Sequence, residues 1–265
     1  MESRDVPLTE GGLPLPPSPA PDWALFLDVD GCLLDFAQHP SQVVVPVHLQ
    51  RDIVRLSDLL GGALALVSGR SLESIDEMFG ELRALPAAGM HGLERREPDG
   101  RRTFPPIAPQ ALDGVYAEAR QLAMSHPGAI IERKGPNLAL HWRAAPEARD
   151  ALRAFAAAAL RVLPDYRAQG GDMVLELRPG GSSPDKGTAV EGFMAQAPFR
   201  GRTPVFVGDD LTDEHAFSIV NACEGFSVLV GDRHPSAARW RLPNPAAVRD
   251  WLARATLGAH DGVHA

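Results

Sequence analysis

The stretch Trp23-Ala24-Leu25-Phe26-Leu27-Asp28-Val29-Asp30-Gly31 decides how the rest of the chain reads. The run WALFLDV over 23–29 is too short for a helix and apolar nearly to its end. That pattern suits a central strand of a parallel sheet, covered on both faces. Residues i and i+2 of a strand point to one side, so Asp28 and Asp30 project together. They do so at the carboxyl end of the strand, where open α/β sheets bind ligands. Gly31 permits the sharp exit that keeps both carboxylates exposed. A polar loop that merely ends the strand would read the same way. A calcium loop fits less well, because an EF-hand sets its glycine sixth and a glutamate twelfth, whereas this glycine comes fourth.

Outward from this strand, Pro46 opens a helical stretch with Leu49, Ile53, Leu56 and Leu60 on one face, and Gly61-Gly62 stops it. ALALV (63–67) is a second buried strand. Ser71 caps a helix that Gly80 ends, and LPAAGM (85–90) is a third strand. This β-α-β-α-β order predicts an α/β fold with a doubly wound parallel sheet. The pattern then changes. LERRE, Pro98-Asp99-Gly100 and RRTF predict a hairpin. Helix-strand-strand follows twice, with turns expected at Gly135-Pro136-Asn137 and Gly170-Gly171. Hairpins with helices on one face predict an inserted α+β domain over 96–178. The parallel pattern resumes after the flexible return linker RPGGSSPD (178–185), with strands PVFV (204–207) and FSVLV (226–230). Asn244 caps a last helix that begins with Pro245. The parallel-sheet core is therefore assigned to 22–95 and 179–258, with frayed residues after it. Residues 1–21 contain six prolines and little that could pack, which predicts a disordered lead, with a docking peptide as the less favoured alternative.

A chain of 265 residues can bury a core without staples. Its formal charge of −8 argues against a nucleic-acid or anionic-membrane partner. Only Cys32 and Cys223 occur, which reads as two free thiols in a reducing compartment. No run of about 18 apolar residues exists, and the proline-rich start lacks the apolar region of a secretory signal. A cytoplasmic monomer is expected.

Three further motifs carry chemistry. Gly208-Asp209-Asp210-Leu211-Thr212-Asp213-Glu214 follows a strand, and its four carboxylates in six residues repel each other unless a cation is present. Hard oxygen ligands favour magnesium or calcium over zinc. An acidic first helical turn is the plainer alternative. Ser68-Gly69-Arg70 lies between a strand and a helix, where a hydroxyl and backbone N–H groups hold phosphate or simply form a turn. Asp185-Lys186-Gly187 puts a cation at a helix start, against the helix dipole.

Taken in order, D-x-D-G, S-G-R, K-G and G-D-D-x-x-D-E resemble the motifs of the haloacid dehalogenase-like phosphatase superfamily. The interruption between serine and lysine resembles members with a C2-type cap. Within that group the chain is similar to the trehalose-6-phosphate phosphatases, through LFLDVDGCL, LALVSGRSL, AGMHGLE, IERKGPNLALHWR, VLELRPGGSSPDKGTAV and VFVGDDLTDEHAF. Cys32 stands where the family usually has Thr or a similar small residue. The resemblance implies that Asp28 is the nucleophile and that Asp30 serves as acid and then base. It implies Mg²⁺ held by the Asp28 side chain, the Asp30 backbone carbonyl and Asp209, with Asp213 either a further ligand or a residue that orients them, and with Ser68 and Lys186 on the phosphoryl oxygens. A neighbouring carboxylate and partial burial are expected to keep Asp30 protonated. The need for a cation is physical: at 4 Å each unit pair of like charges costs about 4 kcal/mol at an effective dielectric of 20. The inserted domain is expected to act as a lid. Arg70, His91, Glu94, Glu132, Lys134, His141, Arg143 and Glu176 are the expected sugar-phosphate contacts, although charges on hairpins are commonly just a solvated face. Other sugar phosphates, such as sucrose phosphate or a hexose phosphate, are alternative substrates. A non-catalytic sugar-phosphate sensor is an alternative of another class.

Overall fold

The structure is a computed structural model and describes residues 12–35, 45–103, 109–180 and 184–258. Residues 1–11 of the expected lead, 181–183 of the expected linker and 259–265 of the expected frayed end lie outside the described residues. Two compact units are present, one within 1–103 and 184–265, the other within 104–183.

The first unit begins with β1 (Trp23–Leu27), α1 (Leu49–Leu59), β2 (Leu64–Val67), α2 (Leu72–Met78), β3 (Ala87–Gly89), β4 (Glu94–Arg96) and β5 (Arg102–Thr103). The second unit follows, with α3 (Ala111–Met124), β6 (Ile130–Lys134), β7 (Asn137–His141), α4 (Arg149–Ala159), β8 (Tyr166–Gly171) and β9 (Val174–Pro179). The chain then completes the first unit with α5 (Lys186–Met194), β10 (Thr203–Gly208), α6 (Glu214–Ala222), β11 (Phe226–Val230), β12 (Trp240–Leu242) and α7 (Pro245–Gly258).

The large sheet runs β12-β11-β10-β1-β2-β3-β4-β5. It is parallel from β12 to β3 and antiparallel at β3–β4 and β4–β5. β1 sits inside it, with Leu27 opposite Val207 of β10 and Leu66 of β2. Every residue of β1, β2 and β3 is buried, as an apolar strand covered on both faces requires. The expected caps form: Ser71 accepts from the Ser74 N–H at 3.1 Å, and Asn244 accepts from the Ala247 N–H at 2.9 Å.

Three expectations need correction. The 94–103 hairpin, whose second half was expected within the cap domain, extends the core sheet because β4 pairs with β3. Asp76 of α2 pins it, at 2.6 Å from Arg96 and 2.8 Å from Arg102, a partnership too distant in sequence to read there. The second unit therefore starts at 104. The β8–β9 turn falls at Asp172-Met173 rather than Gly170-Gly171, since Gly171 still pairs with Val174. Finally, residues 12–21 are placed against the core. The Pro14 carbonyl accepts from the Arg241 N–H at 3.0 Å, which covers part of the open edge of β12. The Pro17 carbonyl accepts from the Trp251 indole at 2.9 Å, and Leu15 and Ala20 pack on the core. Composition predicts disorder here because it cannot see a docking surface that lies more than 200 residues away in the chain.

The second unit is a four-stranded antiparallel sheet, β6-β7-β9-β8. Leu138, Leu140, Leu175 and Leu177 share one buried cluster with Leu112 and Val115 of α3 and with Leu152 and Ala156 of α4. Alternation places Glu132, Lys134, Asn137, His141 and Glu176 on the opposite face.

Candidate active site

Parallel pairing of β1 with β10 brings two acidic motifs to one sheet edge. The Asp28 N–H continues the ladder to the Val207 carbonyl at 3.0 Å, and Asp209 leaves β10 two residues later. Carboxylate oxygens of Asp28, Asp209 and Asp213 lie within 4.8 Å of one another. One oxygen of Asp28 accepts its neighbour Val29's N–H at 2.8 Å, and the other lies 2.9 Å from Lys186 Nζ. Asp213 is fully buried, with Oδ1 2.7 Å from Lys186 Nζ, while Oδ2 accepts from the N–H groups of Asp209 and Asp210, each at 2.9 Å. It therefore shapes the acidic loop as well as adding charge. Its carboxylate fills the space where a Cβ on Gly208 would lie, 2.5 Å away.

The electrostatics follow from this crowding. Burial first, and then the Asp213 charge, push the Asp28 carboxyl up to about 7 against the pull of Lys186. Burial, Asp28 and Asp213 push Asp209 up to about 9. Burial opposes the charge on Lys186, but Asp213 and Asp28 outweigh it and hold the ammonium protonated well above its usual range. Asp209 Oδ1 is buried and has no hydrogen-bond partner among the described residues. Three carboxylates and a buried, unengaged oxygen form the donor set that a hard divalent cation takes.

Ser68 leaves the neighbouring β2, buried, and its Oγ accepts from the Arg70 N–H at 3.1 Å. Arg70 holds both oxygens of Asp30, with Nε to Oδ2 at 2.7 Å and Nη2 to Oδ1 at 2.6 Å. The partner placed on Asp30 is thus a guanidinium rather than the carboxylate expected from the sequence. His91 packs its ring over Gly69, within 2.8 Å of where a Cβ would stand. Met90 and His91 both have left-handed φ, at 50° and 55°, and their N–H groups bond the carbonyls of Arg70 and Ser68. Glu94 accepts from the Leu72 N–H at 2.7 Å, so it is engaged at the start of α2.

In the second unit, Glu132 Oε2 lies 3.1 Å from His141 Nε2 and 3.3 Å from Lys134 Nζ. Burial works to raise the Glu132 carboxyl, but these two partners win and hold it down at about 2. Glu176 accepts from Asn137 at 3.1 Å, and burial pushes its carboxyl up. Arg143 turns to Asp172 at 2.7 Å. Two contacts escape the sequence reading. Asn137 resembles a turn residue there, and His215, 2.8 Å from Asp185, follows the acidic motif with no signal of its own. Gly187 was the available clue, since a Cβ there would meet the His215 ring at 2.6 Å.

The family model described as Trehalose-phosphatase matches residues 26–246. The chain belongs to the trehalose-phosphatase family. It is 40% identical to the trehalose-6-phosphate phosphatase of Escherichia coli (strain K12), over 93% of this chain and 89% of that one. The solved C-terminal domain of Candida albicans trehalose-6-phosphate phosphatase superposes with a TM-score of 0.76 at 20% identity, covering 88% of this chain and 91% of that one. A haloacid dehalogenase-like hydrolase from Bacteroides thetaiotaomicron superposes with a TM-score of 0.61 at 15% identity, covering 87% and 98%. The fold is haloacid dehalogenase-like, and as a trehalose-phosphatase family member the protein is a phosphoric monoester hydrolase.

Proposed function

We propose that the protein hydrolyses trehalose 6-phosphate to trehalose and phosphate through an aspartyl-phosphate on Asp28. The observation that carries this reading is the buried Lys186 ammonium seated between Asp28 and Asp213 beside Asp209. Asp28 attacks phosphorus and the bond to the sugar oxygen breaks, with Asp30 giving that oxygen its proton. Water then attacks phosphorus, Asp30 takes its proton, and the acyl phosphate bond breaks to restore Asp28. Ser68 and Lys186 hold the phosphoryl oxygens.

Asp28, Asp209, Asp213 and the Asp30 backbone carbonyl would hold Mg²⁺. When bound, Mg²⁺ supplies the positive charge that lets an anionic nucleophile approach a phosphate dianion. Arg70, His91, Glu94, Glu132, Lys134, His141, Arg143 and Glu176 are the proposed substrate contacts. The last five offer sugar hydroxyls both donors and acceptors. The protein acts as a cytoplasmic monomer in this reading.

Phosphate release from a panel of trehalose 6-phosphate, sucrose phosphate and hexose phosphates, with magnesium, tests the substrate. Faster turnover of hexose phosphates would end the disaccharide reading. Asp28→Asn should abolish release from every member, and unchanged turnover in that variant would end the mechanism.

A further inference from the structure

The loop that carries Asp209 is gripped from two sides. On one side Asp213 takes the N–H groups of Asp209 and Asp210. On the other stands Arg233, in the segment between β11 and β12. Its Nε donates to the Asp209 carbonyl at 3.2 Å, and its Nη2 donates to the Asp210 carbonyl at 3.2 Å. Nη1 donates to the Pro235 carbonyl at 2.9 Å, which ties the guanidinium to its own loop. Nη2 also pairs with Glu214 at the start of α6, and the other oxygen of Glu214 accepts from the Ala237 N–H at 2.7 Å. A planar fork meets two carbonyls and a carboxylate at once, which an ammonium on a flexible stem cannot do.

This clamp acts on the peptide units that aim the Asp209 side chain. That side chain keeps a buried Oδ1 without a hydrogen-bond partner among the described residues. No described residue bonds that oxygen, so its aim rests on the backbone. The backbone is fixed by Asp213 on its N–H groups and by Arg233 on its carbonyls.

We infer that Arg233, braced by Glu214, is a positioning residue that aims Asp209 at a divalent cation, so that cation affinity depends on a side chain outside the acidic motif. The inference rests on the metal reading above. Outer partners of metal ligands typically change affinity by about 10–100-fold, and Arg233 reaches the ligand through its own carbonyl.

The test is calorimetric titration of Mg²⁺ and Mn²⁺ into the full chain, comparing the unaltered protein with Arg233→Ala, Arg233→Lys, Glu214→Gln and Asp209→Asn. Arg233→Ala should raise the cation Kd by about 10-fold or more. Arg233→Lys should recover only part of the loss, and added methylguanidinium should restore binding to Arg233→Ala, which a general loosening of the fold would not allow. Circular dichroism in chelator establishes that each variant is folded. If Arg233→Ala does not fold, Arg233→Lys and Glu214→Gln carry the test, each with a raised Kd. An unchanged Kd in the folded Arg233 variants, with binding lost in Asp209→Asn, overturns the clamp and leaves the metal reading standing. No cation binding by the unaltered protein overturns both.

Discussion

The Lys186 ammonium lies 2.9 Å from Asp28 Oδ2, and both groups are buried. Lys186 is also the first residue of α5, where the helix dipole disfavours a cation. Its charge survives there only because Asp28 and Asp213 flank it. Lys186→Met should therefore leave two buried carboxylates without their counter-charge. Breaking such a pair by removing one partner costs about 3–5 kcal/mol. Urea unfolding in chelator measures that loss, and phosphate release should vanish as well. Unaltered stability would mean that the pair does not hold the site together.

The raised carboxyls make the metal-free protein sensitive to base. The Asp28 and Asp209 carboxyls stand at about 7 and about 9, above the free value of 3.8. Groups raised in the folded state bind more protons there than in the unfolded chain, so stability falls as pH rises. Their contribution is complete below about pH 4 and is lost through about pH 7 and then about pH 9. Melting in chelator should show this decline, and added Mg²⁺ should flatten it.

Asp209→Asn replaces, with little change in shape, a carboxyl that the crowded site forces to hold a proton near neutral pH. It should stabilise the metal-free protein near neutral pH by on the order of 1–3 kcal/mol, one pKa unit being about 1.4 kcal/mol. The same variant should lose the stabilisation by Mg²⁺. A variant less stable than the parent in chelator would contradict the cost assigned to burying this carboxyl beside Asp28 and Asp213.

Asp30 separates the two chemical steps. p-Nitrophenyl phosphate has a leaving group that needs no proton, so Asp30→Asn should release one equivalent of p-nitrophenolate per enzyme and then stall. With the sugar phosphate the first step should also slow, by about 10²–10⁴-fold. Rapid-mixing absorbance resolves the burst. Linear, unslowed progress with both substrates would remove Asp30 from the mechanism.

The docked part of the lead should matter for stability and not for chemistry. Deleting residues 1–20 removes the carbonyls that meet Arg241 and Trp251. A loss of ~1–2 kcal/mol is expected, or about 2–8 °C in Tm for a chain of this size. Steady-state kinetics on the sugar phosphate should be unchanged.

Sequence alone determined the parallel strands around β1 and the identity of their acidic edge. β1 is a short, wholly apolar strand followed by Asp28 and Asp30, and the strand before Asp209 reads the same way. These are local signals, because period and composition depend on neighbours along the chain. Tertiary structure decided which charges meet. Asp30 faces Arg70, forty residues on, and Asp28 faces Lys186, far along the chain. The lead finds Trp251, and Arg233 finds the Asp209 carbonyl. Each of these pairings is set by which strand ends, helices and loops the fold brings side by side, and no stretch of sequence records that.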